Sequence, residues 1–327
     1  MYKKLSIMLP VYNMELYIDK CLNSLVKQNW DNDVEVIIID DGSTDASSNI
    51  CSKYVSKYAY MKLYHKVNGG VASARNMALK YASGEYFYWV DPDDYIADDF
   101  WEKIKDVLDQ GYDFIFFDLV YFSDKYHKVK CFGNTSAVIE KNEFIRHLCD
   151  GVKMSSHLPT KILKKSLWDG VYFPDDISFG EDYAVFTYIA PKVEKVFYLH
   201  ESLYSYRQHA SSICHSACVK NLKLFLNVVK KRYEYFLGRG YYVDMAGVLF
   251  VEYSYLKDIE LRKSISSENY QVFFDEICGH LKKNKSVLLK SGLISSKEKL
   301  ILYLLVFDMK IAVYILQIWG KLKQVFK

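Results

Sequence analysis

Three acidic groups stand where side-chain chemistry could be done. Asp40-Asp41-Gly42-Ser43-Thr44-Asp45 places carboxylates and a glycine turn at the end of an apolar run. Carboxylates there can accept from a base N–H or a ribose hydroxyl; the same residues also read as a helix start capped by Ser43 or Asp45. Asp91-Pro92-Asp93-Asp94 directly follows the apolar residues 86–90. Carboxylate oxygens are hard ligands suited to Mg²⁺ or Mn²⁺, ions that bind through one or two carboxylates plus substrate phosphates. An isolated D-x-D is more often a surface turn or a helix cap; its place after a buried strand, in the same sheet as Asp41, singles it out. Glu181-Asp182 precedes the apolar residues 184–190. It reads either as a general base at a helix start or as an acidic first turn favoured by the helix dipole.

Features that hold anions lie between these groups. Asn68-Gly69-Gly70, followed by Ala72-Ser73-Ala74-Arg75-Asn76, gives a flexible turn and then a helix of small residues carrying one arginine. Helix N-terminal N–H groups and a guanidinium both favour a diphosphate. Neither G-x-G-x-x-G nor G-x-x-x-x-G-K-[ST] is present. Tyr206-Arg207-Gln208-His209, with Ser211 and Ser212, is a polar cluster able to clamp phosphate or complete a metal shell. His209, Cys214, His215 and Cys218 are zinc-ligand types, but their spacing matches no finger and they read as no zinc site.

These residues need a scaffold, and the periodicity supplies one. Strands are expected at Leu5–Val11, Val34–Asp40, Met61–His65, Glu85–Val90 and Tyr112–Val120, and helices at Leu16–Gln28, Asp45–Lys57, Val71–Tyr81 and Asp98–Leu108. This alternation predicts an α/β fold with a mostly parallel sheet, whose ligands sit at the carboxyl ends of the strands. Residues 125–215 lack that rhythm. Residues 219–237, 244–263, 270–283 and 297–323 read as helices, so the expected domains are 1–218, divided at 124/125, and a helical region 219–327.

Charge supports a boundary near residue 216. The 327-residue chain carries a net +3, but residues 1–215 hold 24 basic and 30 acidic side chains, a balance of −6, whereas residues 216–327 hold 19 and 10, a balance of +9. Half the residues are apolar and a quarter charged, which excludes a disordered or collagen-like chain, and the overall charge gives no reason to expect nucleic acid. Seven scattered cysteines fit a reducing cytoplasm. The apolar residues 5–11 give way to Tyr12, Asn13 and Glu15, so they read as a strand and not a signal peptide. No uncharged stretch approaches the ~20 residues of a membrane span.

Taken in order, Ser6–Asn13, Ile39–Asp45, Asn68–Asn76, Ser83–Tyr86 and Val90–Asp94 closely resemble the inverting family 2 glycosyltransferases with the GT-A fold. Glu181-Asp182 and Tyr206–His209 extend the resemblance to about residue 215; residues 219–327 lie outside it. It implies a bacterial enzyme of cell-surface polysaccharide synthesis that moves a sugar from a nucleotide-sugar, with UDP as the default, to a hydroxyl of a glycan or lipid-linked acceptor. Carried over by position, Pro10, Tyr12, Asn13 and Glu15 would line the base pocket, and Asp41 would hold base or ribose. Asn68, Gly70, Ala74 and Arg75 would pack against the nucleotide, and Asp91 would face the ribose. Asp93 would bind Mn²⁺ or Mg²⁺, with His209 reaching the metal or diphosphate, and Asp94 could share that role. Asp182 would be the catalytic base, while Glu181 is expected to point elsewhere, toward the acceptor or Arg207. Pro92 departs from the small polar residue common at its position in the family.

A nucleotidyltransferase would want a glycine- and arginine-rich loop where Pro10–Asn13 stand, and a non-catalytic relative would be expected to lose the acids at 93 and 182. In residues 300–327, Lys310, Gln317, Lys321 and Gln324 fall on one helical stripe, away from Ile301, Leu305, Ile315 and Trp319. This predicts peripheral attachment to the inner face of the cell membrane, the other reading being a helix that packs on the globule.

Overall fold

The computed structural model describes residues 3–123, 126–150, 154, 156–177, 180–208, 219–261 and 268–307. The chain forms two compact units, residues 1–144 with 156–216, and residues 145–155 with 217–327. In the first, β1 (Leu5–Val11), α1 (Ile18–Val26), β2 (Val34–Asp40), α2 (Ser47–Val55), β3 (Met61–His65), α3 (Gly70–Tyr81) and β4 (Tyr86–Trp89) alternate as expected. They are followed by β5 (Tyr95–Ile96), α4 (Phe100–Asp109), β6 (Phe114–Ser123), β7 (Tyr126–Lys130), β8 (Ala137–Ile139), α5 (Lys141–Asp150, the second unit taking over at Ile145), β9 (Lys161–Lys164), α6 (Glu181–Ile189) and β10 (Val196–Arg207).

One ten-stranded sheet runs β3-β2-β1-β4-β9-β6-β10-β5, with β7 on β6 and β8 on β10. Strands β1 to β4 pair in parallel, as do β6 and β10, while β9 joins the two parallel groups by antiparallel pairing. Every residue of β1 and β2 is buried, the burial expected for a parallel sheet covered on both faces. On one face Ile18, Cys21, Leu22 and Leu25 of α1 and Phe100, Ile104, Val107 and Leu108 of α4 enter the core at helical spacing. On α3, the buried positions are Arg75 and three alanines, Ala72, Ala74 and Ala78, which are small enough to let the helix backbone come close to the sheet.

The apolar run of β2 contains Glu35, which is 1% exposed. Burial alone would raise its pKa, but donors from Ser83, Ser6 and Lys62 hold the carboxyl below its ordinary value. Strand β6 extends three residues past the sequence expectation, because β10 and β7 pair with it along its far end.

The second unit contains α7 (Val219–Leu237), α8 (Ala246–Leu261), α9 (Glu268–Lys290) and α10 (Ser296–Phe307). Helix α9 continues past the expected end at residue 283. The Lys282–Lys285 polar run looks like a break, yet Ile277, Leu281 and Leu288 continue one buried stripe. Buried Glu252 holds this unit internally through His280 Nδ1 at 2.6 Å and Lys230 Nζ at 3.2 Å. Among the described residues no helix is long and apolar enough to cross a membrane. Residues 308–327, which carry most of the amphipathic C-terminal stripe, lie outside the described residues.

Candidate active site

The loops after β1 and β2 are knitted together at the carboxyl end of the sheet. Asn13 accepts from Thr44 N–H at 2.8 Å through Oδ1 and donates its own N–H to Ser43 Oγ at 3.1 Å. Glu15 accepts from Ala46 N–H at 2.9 Å, and its N–H donates to Asp45 at 3.0 Å. Asn13 takes φ 51°, a left-handed value that asparagine tolerates better than most residues. The ring of Tyr12 is left 44% exposed, while Pro10 stays buried in β1.

Asp41 lies beneath the start of α3. Its carboxylate accepts from Gly69 N–H at 3.0 Å and Gly70 N–H at 2.8 Å, and pairs with Lys66 Nζ at 2.5 Å. The Asn68 amide donates to the Asp41 carbonyl at 3.0 Å. Gly42 makes this approach possible: at φ +73° a Cβ would come within 2.8 Å of Asn68 N. Asp41 thus organises the glycine turn at the N-terminus of α3, where the helix amides carry partial positive charge.

Two turns of chemistry meet through the same helix. Arg75, on α3 beside buried Ala74, is 4% exposed and lies over the packed Trp89 and Phe173 rings. Its Nη1 donates to Glu181 Oε1 at 2.6 Å and to Asp182 Oδ1 at 2.7 Å, and its Nη2 to Asp91 Oδ1 at 3.3 Å. Both acids head α6, which Gly180 begins at φ 89°. Glu181 therefore does not turn away from its neighbour, contrary to the sequence expectation. Facing one interior cation, both carboxylates gain more by sharing it than by separating. Asp182 also accepts from Leu158 N–H through Oδ2 at 3.3 Å.

The acidic loop after β4 is clamped by β10. Tyr204 O–H donates to Asp94 Oδ2 at 2.7 Å and accepts from Asp91 N–H at 3.2 Å, while Arg207 N–H donates to Asp94 Oδ1 at 2.7 Å. Asp94, 1% exposed, thus has both oxygens engaged within the protein and holds the loop in shape, where the sequence allowed it a share of the metal. Arg207 Nε donates to the Asp93 carbonyl at 2.8 Å, and its guanidinium lies over Tyr17 and Phe122. Asp93 itself is half-buried.

The electrostatics of this cluster are lopsided. Asp91, Glu181 and Asp182 all contact Arg75, and Asp93 adds its charge beside Asp91, so carboxylates outnumber the cation. Burial pushes Asp91 up to about 6; Arg75 opposes the shift, and Asp93 and Asp182 add to it. Glu181 is also raised, first by burial and then by Asp182, against Arg75. A divalent cation beside Asp91 and Asp93 would offset this surplus, and all-oxygen donors suit Mg²⁺ or Mn²⁺. The donor set fits such an ion.

His157 joins the site without any sequence signal. Its ring is 5.6 Å from that of Tyr206, and burial pushes it down to about 4, with Lys161 reinforcing the shift and Asp182 opposing it. Buried Lys161 donates to the His157 carbonyl at 2.6 Å. A lone histidine in the irregular stretch 125–215 carries no motif, and only the return of the chain through β9 brings it here. His209, with the Cys214, His215 and Cys218 group, lies outside the described residues.

The sequence model described as Glycosyl transferase family 2 matches residues 6–148. The uncharacterized glycosyltransferase EpsJ of Bacillus subtilis is 30% identical over 218 residues, covering 64% of this chain and 62% of EpsJ. The poly(ribitol-phosphate) beta-N-acetylglucosaminyltransferase TarS of Staphylococcus aureus is 32% identical over 192 residues, 55% of this chain and 31% of TarS. The chain therefore spans less than two thirds of either curated relative. The crystal structure of S. aureus TarS 1–349 in complex with UDP-GlcNAc superposes with a TM-score of 0.68 at 22% identity, over 97% of this chain and 92% of that one. The mannosyltransferase PcManGT from Pyrobaculum calidifontis, in complex with GDP-Man and Mn²⁺, gives 0.51 at 15% identity, over 98% and 88%. At these identities the structural likenesses speak for the fold. Residues 6–148 thus carry a match to glycosyl transferase family 2, and the sheet topology, the acidic loop at the carboxyl end of β4 and the structural likenesses give the chain a GT-A fold.

Proposed function

We propose that this protein is an inverting glycosyltransferase that moves a sugar from a nucleoside diphosphate sugar, with UDP as the nucleotide, to a hydroxyl of a growing cell-surface glycan. The observation that carries this reading is Arg75, which ties Asp91 of the acidic loop to Glu181 and Asp182 of α6. A donor diphosphate beside Asp91 and Asp93 would then have its anomeric carbon within the span of the α6 carboxylates. The TarS complex with UDP-GlcNAc supports UDP as the nucleotide, and the poly(ribitol-phosphate) acceptor of TarS supports a cell-surface polymer as acceptor.

In this mechanism the acceptor hydroxyl oxygen forms the new bond to the anomeric carbon as the bond to the diphosphate oxygen breaks. The bonding electrons leave with the nucleoside diphosphate, and Asp182 accepts the hydroxyl proton. Attack from the face opposite the leaving group inverts the anomeric centre. Arg75 fixes the position of Asp182, and the glycine turn above Asp41 together with Tyr12 receives the nucleotide. Asp93, with Asp91, would hold Mg²⁺ or Mn²⁺, which when bound neutralises charge on the departing diphosphate. The Mn²⁺ in the mannosyltransferase complex supports that assignment.

The basic balance of residues 216–327 supports peripheral contact with an anionic membrane on the cytoplasmic side, where a lipid-linked acceptor would be met. The direct test incubates the protein with UDP-, GDP- and dTDP-sugars, with and without Mn²⁺, and follows nucleoside diphosphate release and product anomer by NMR. Release from a UDP-sugar with inversion is expected. Retention of configuration, or no turnover of any donor with cell-wall acceptors present, would overturn the reading.

A further inference from the structure

A second group of ligand-type side chains gathers where β6, β7 and β10 meet. Asp118 is buried in β6 at 3% exposure, Cys131 follows β7 directly, and His200 lies on β10. The pairing explains their meeting. Antiparallel register sets Lys130 opposite Leu119, so the next residue of the returning chain, Cys131, arrives beside Asp118. Strand β10 loses regular register against β6 between Leu199 and Ser202, and His200 lies within that bulge. Bulges re-aim side chains, and here the imidazole turns onto Asp118.

Ligand atoms of Asp118, Cys131 and His200 all lie within 4.8 Å of one another. We propose that Asp118, Cys131 and His200 bind one zinc ion, which ties the strand following the β6–β7 hairpin to the bulge of β10. A thiolate, an imidazole and a carboxylate form a zinc-type donor set, whereas Mg²⁺ and Ca²⁺ call for oxygen throughout. Bonds of about 2.0–2.3 Å to tetrahedral zinc place ligand atoms roughly 3.3–3.8 Å apart. Asp118 Oδ2 and His200 Nδ1, now 2.9 Å apart, need to open by less than about an ångström to reach that spacing.

The surroundings of Asp118 divide its two oxygens between different tasks. Oδ1 accepts from Tyr198 O–H at 2.7 Å and from Phe132 N–H at 3.1 Å, which orients the carboxylate and leaves Oδ2 directed at His200. Tyr198 O–H also lies 2.8 Å from His200 Nδ1, and His200 N–H donates to Ser136 Oγ at 2.9 Å. The Tyr198 and Phe132 donors on Asp118 Oδ1 are partners of the kind that orient a metal-ligating carboxylate, the Ser136 bond fixes the His200 backbone, and zinc on Nδ1 would replace the Tyr198–His200 contact. Cys131 is exposed, so an ion can reach the site from solvent. Without an ion, burial and the Asp118 charge raise the Cys131 thiol pKa; a bound cation reverses that balance by stabilising the thiolate.

The test uses the full chain, stripped with EDTA under a phosphine reductant and titrated with Co²⁺ and then Zn²⁺. One equivalent of Co²⁺ is expected to give a thiolate-to-metal charge-transfer band and four-coordinate visible bands, all displaced by Zn²⁺. Cys131→Ser should abolish the charge-transfer band, His200→Ala should weaken zinc at least about 100-fold, and Tyr198→Phe by about 10-fold. Asp93→Asn should leave the band intact, which separates this site from the acidic loop. Zinc should raise the melting temperature of the wild type and not of Cys131→Ser. Absence of the band in the wild type overturns the proposal even if a variant fails to fold. A band that survives Cys131→Ser also overturns it, by assigning the metal to another thiol.

Discussion

Arg75 and Asp182 are 107 positions apart in the chain, yet Nη1 and Oδ1 lie 2.7 Å apart at the heart of the site. The guanidinium touches the acidic loop after β4 and the head of α6 together, so the two carboxylate sets are held in register through it.

Replacing Arg75 by methionine leaves Asp91, Glu181 and Asp182 facing one another without their shared cation. Removing one partner of a buried ion pair costs about 3–5 kcal/mol, and a loss of that size is expected at pH 7.5 by urea denaturation. Asp91 and Glu181 already have raised pKa values, so protonation should recover part of the loss at pH 5.5. Unchanged stability at pH 7.5 would show that the hub contributes nothing.

Asp182→Asn keeps the size of the side chain and one acceptor oxygen, enough for Arg75 or the Leu158 N–H but not both, and it cannot accept a proton. Transfer is expected to fall by roughly 10²–10⁴-fold with UDP affinity nearly unchanged. Since Glu181 shares the same guanidinium nitrogen, Glu181→Gln is the informative comparison. A smaller effect there leaves Asp182 as the base; a larger one moves the role to Glu181.

Tyr204→Phe deletes one hydroxyl that both donates to Asp94 and accepts from Asp91 N–H. Leaving those buried groups short of a partner should cost about 1–3 kcal/mol, seen as a lower melting temperature. Mn²⁺-dependent nucleotide binding, measured by calorimetry, should weaken along with it, because the loop that carries Asp93 loses its clamp. Loss of stability with unaltered metal dependence would separate the clamp from the donor site.

His157 provides an acid-sensitive element. Its folded pKa of about 4 lies below the ordinary value of 6.5, so the native state resists protonation that the unfolded chain accepts. The stability it contributes is present above pH 6.5 and is lost as the pH falls toward 4, up to about 3 kcal/mol for this separation. His157→Gln should flatten that part of the stability profile. An identical pH dependence in the variant would rule out His157 as its source.

The α/β order of residues 5–109 was legible in the sequence because each element declares itself locally. Continuous apolar runs mark β1 and β2, i, i+3, i+4 spacing marks α1 and α4, and polar clusters mark the carboxyl ends of the strands. The motif residues 10–15, 41, 68–75 and 91–93 were readable for the same reason, since each sits within a few positions of its strand.

Partner choice was decided only by the tertiary structure. No local pattern shows that Arg75 takes Glu181 as well as Asp182, that Asp94 is held by Tyr204 and Arg207, or that His157 comes to lie beside Tyr206. Those pairings depend on β9 running antiparallel between β4 and β6, and on β10 lying parallel to β6 with a bulge. Strand register over such separations is set by side-chain packing across the whole sheet. The same register places Cys131 and His200 against Asp118, three residues that share no spacing in the chain.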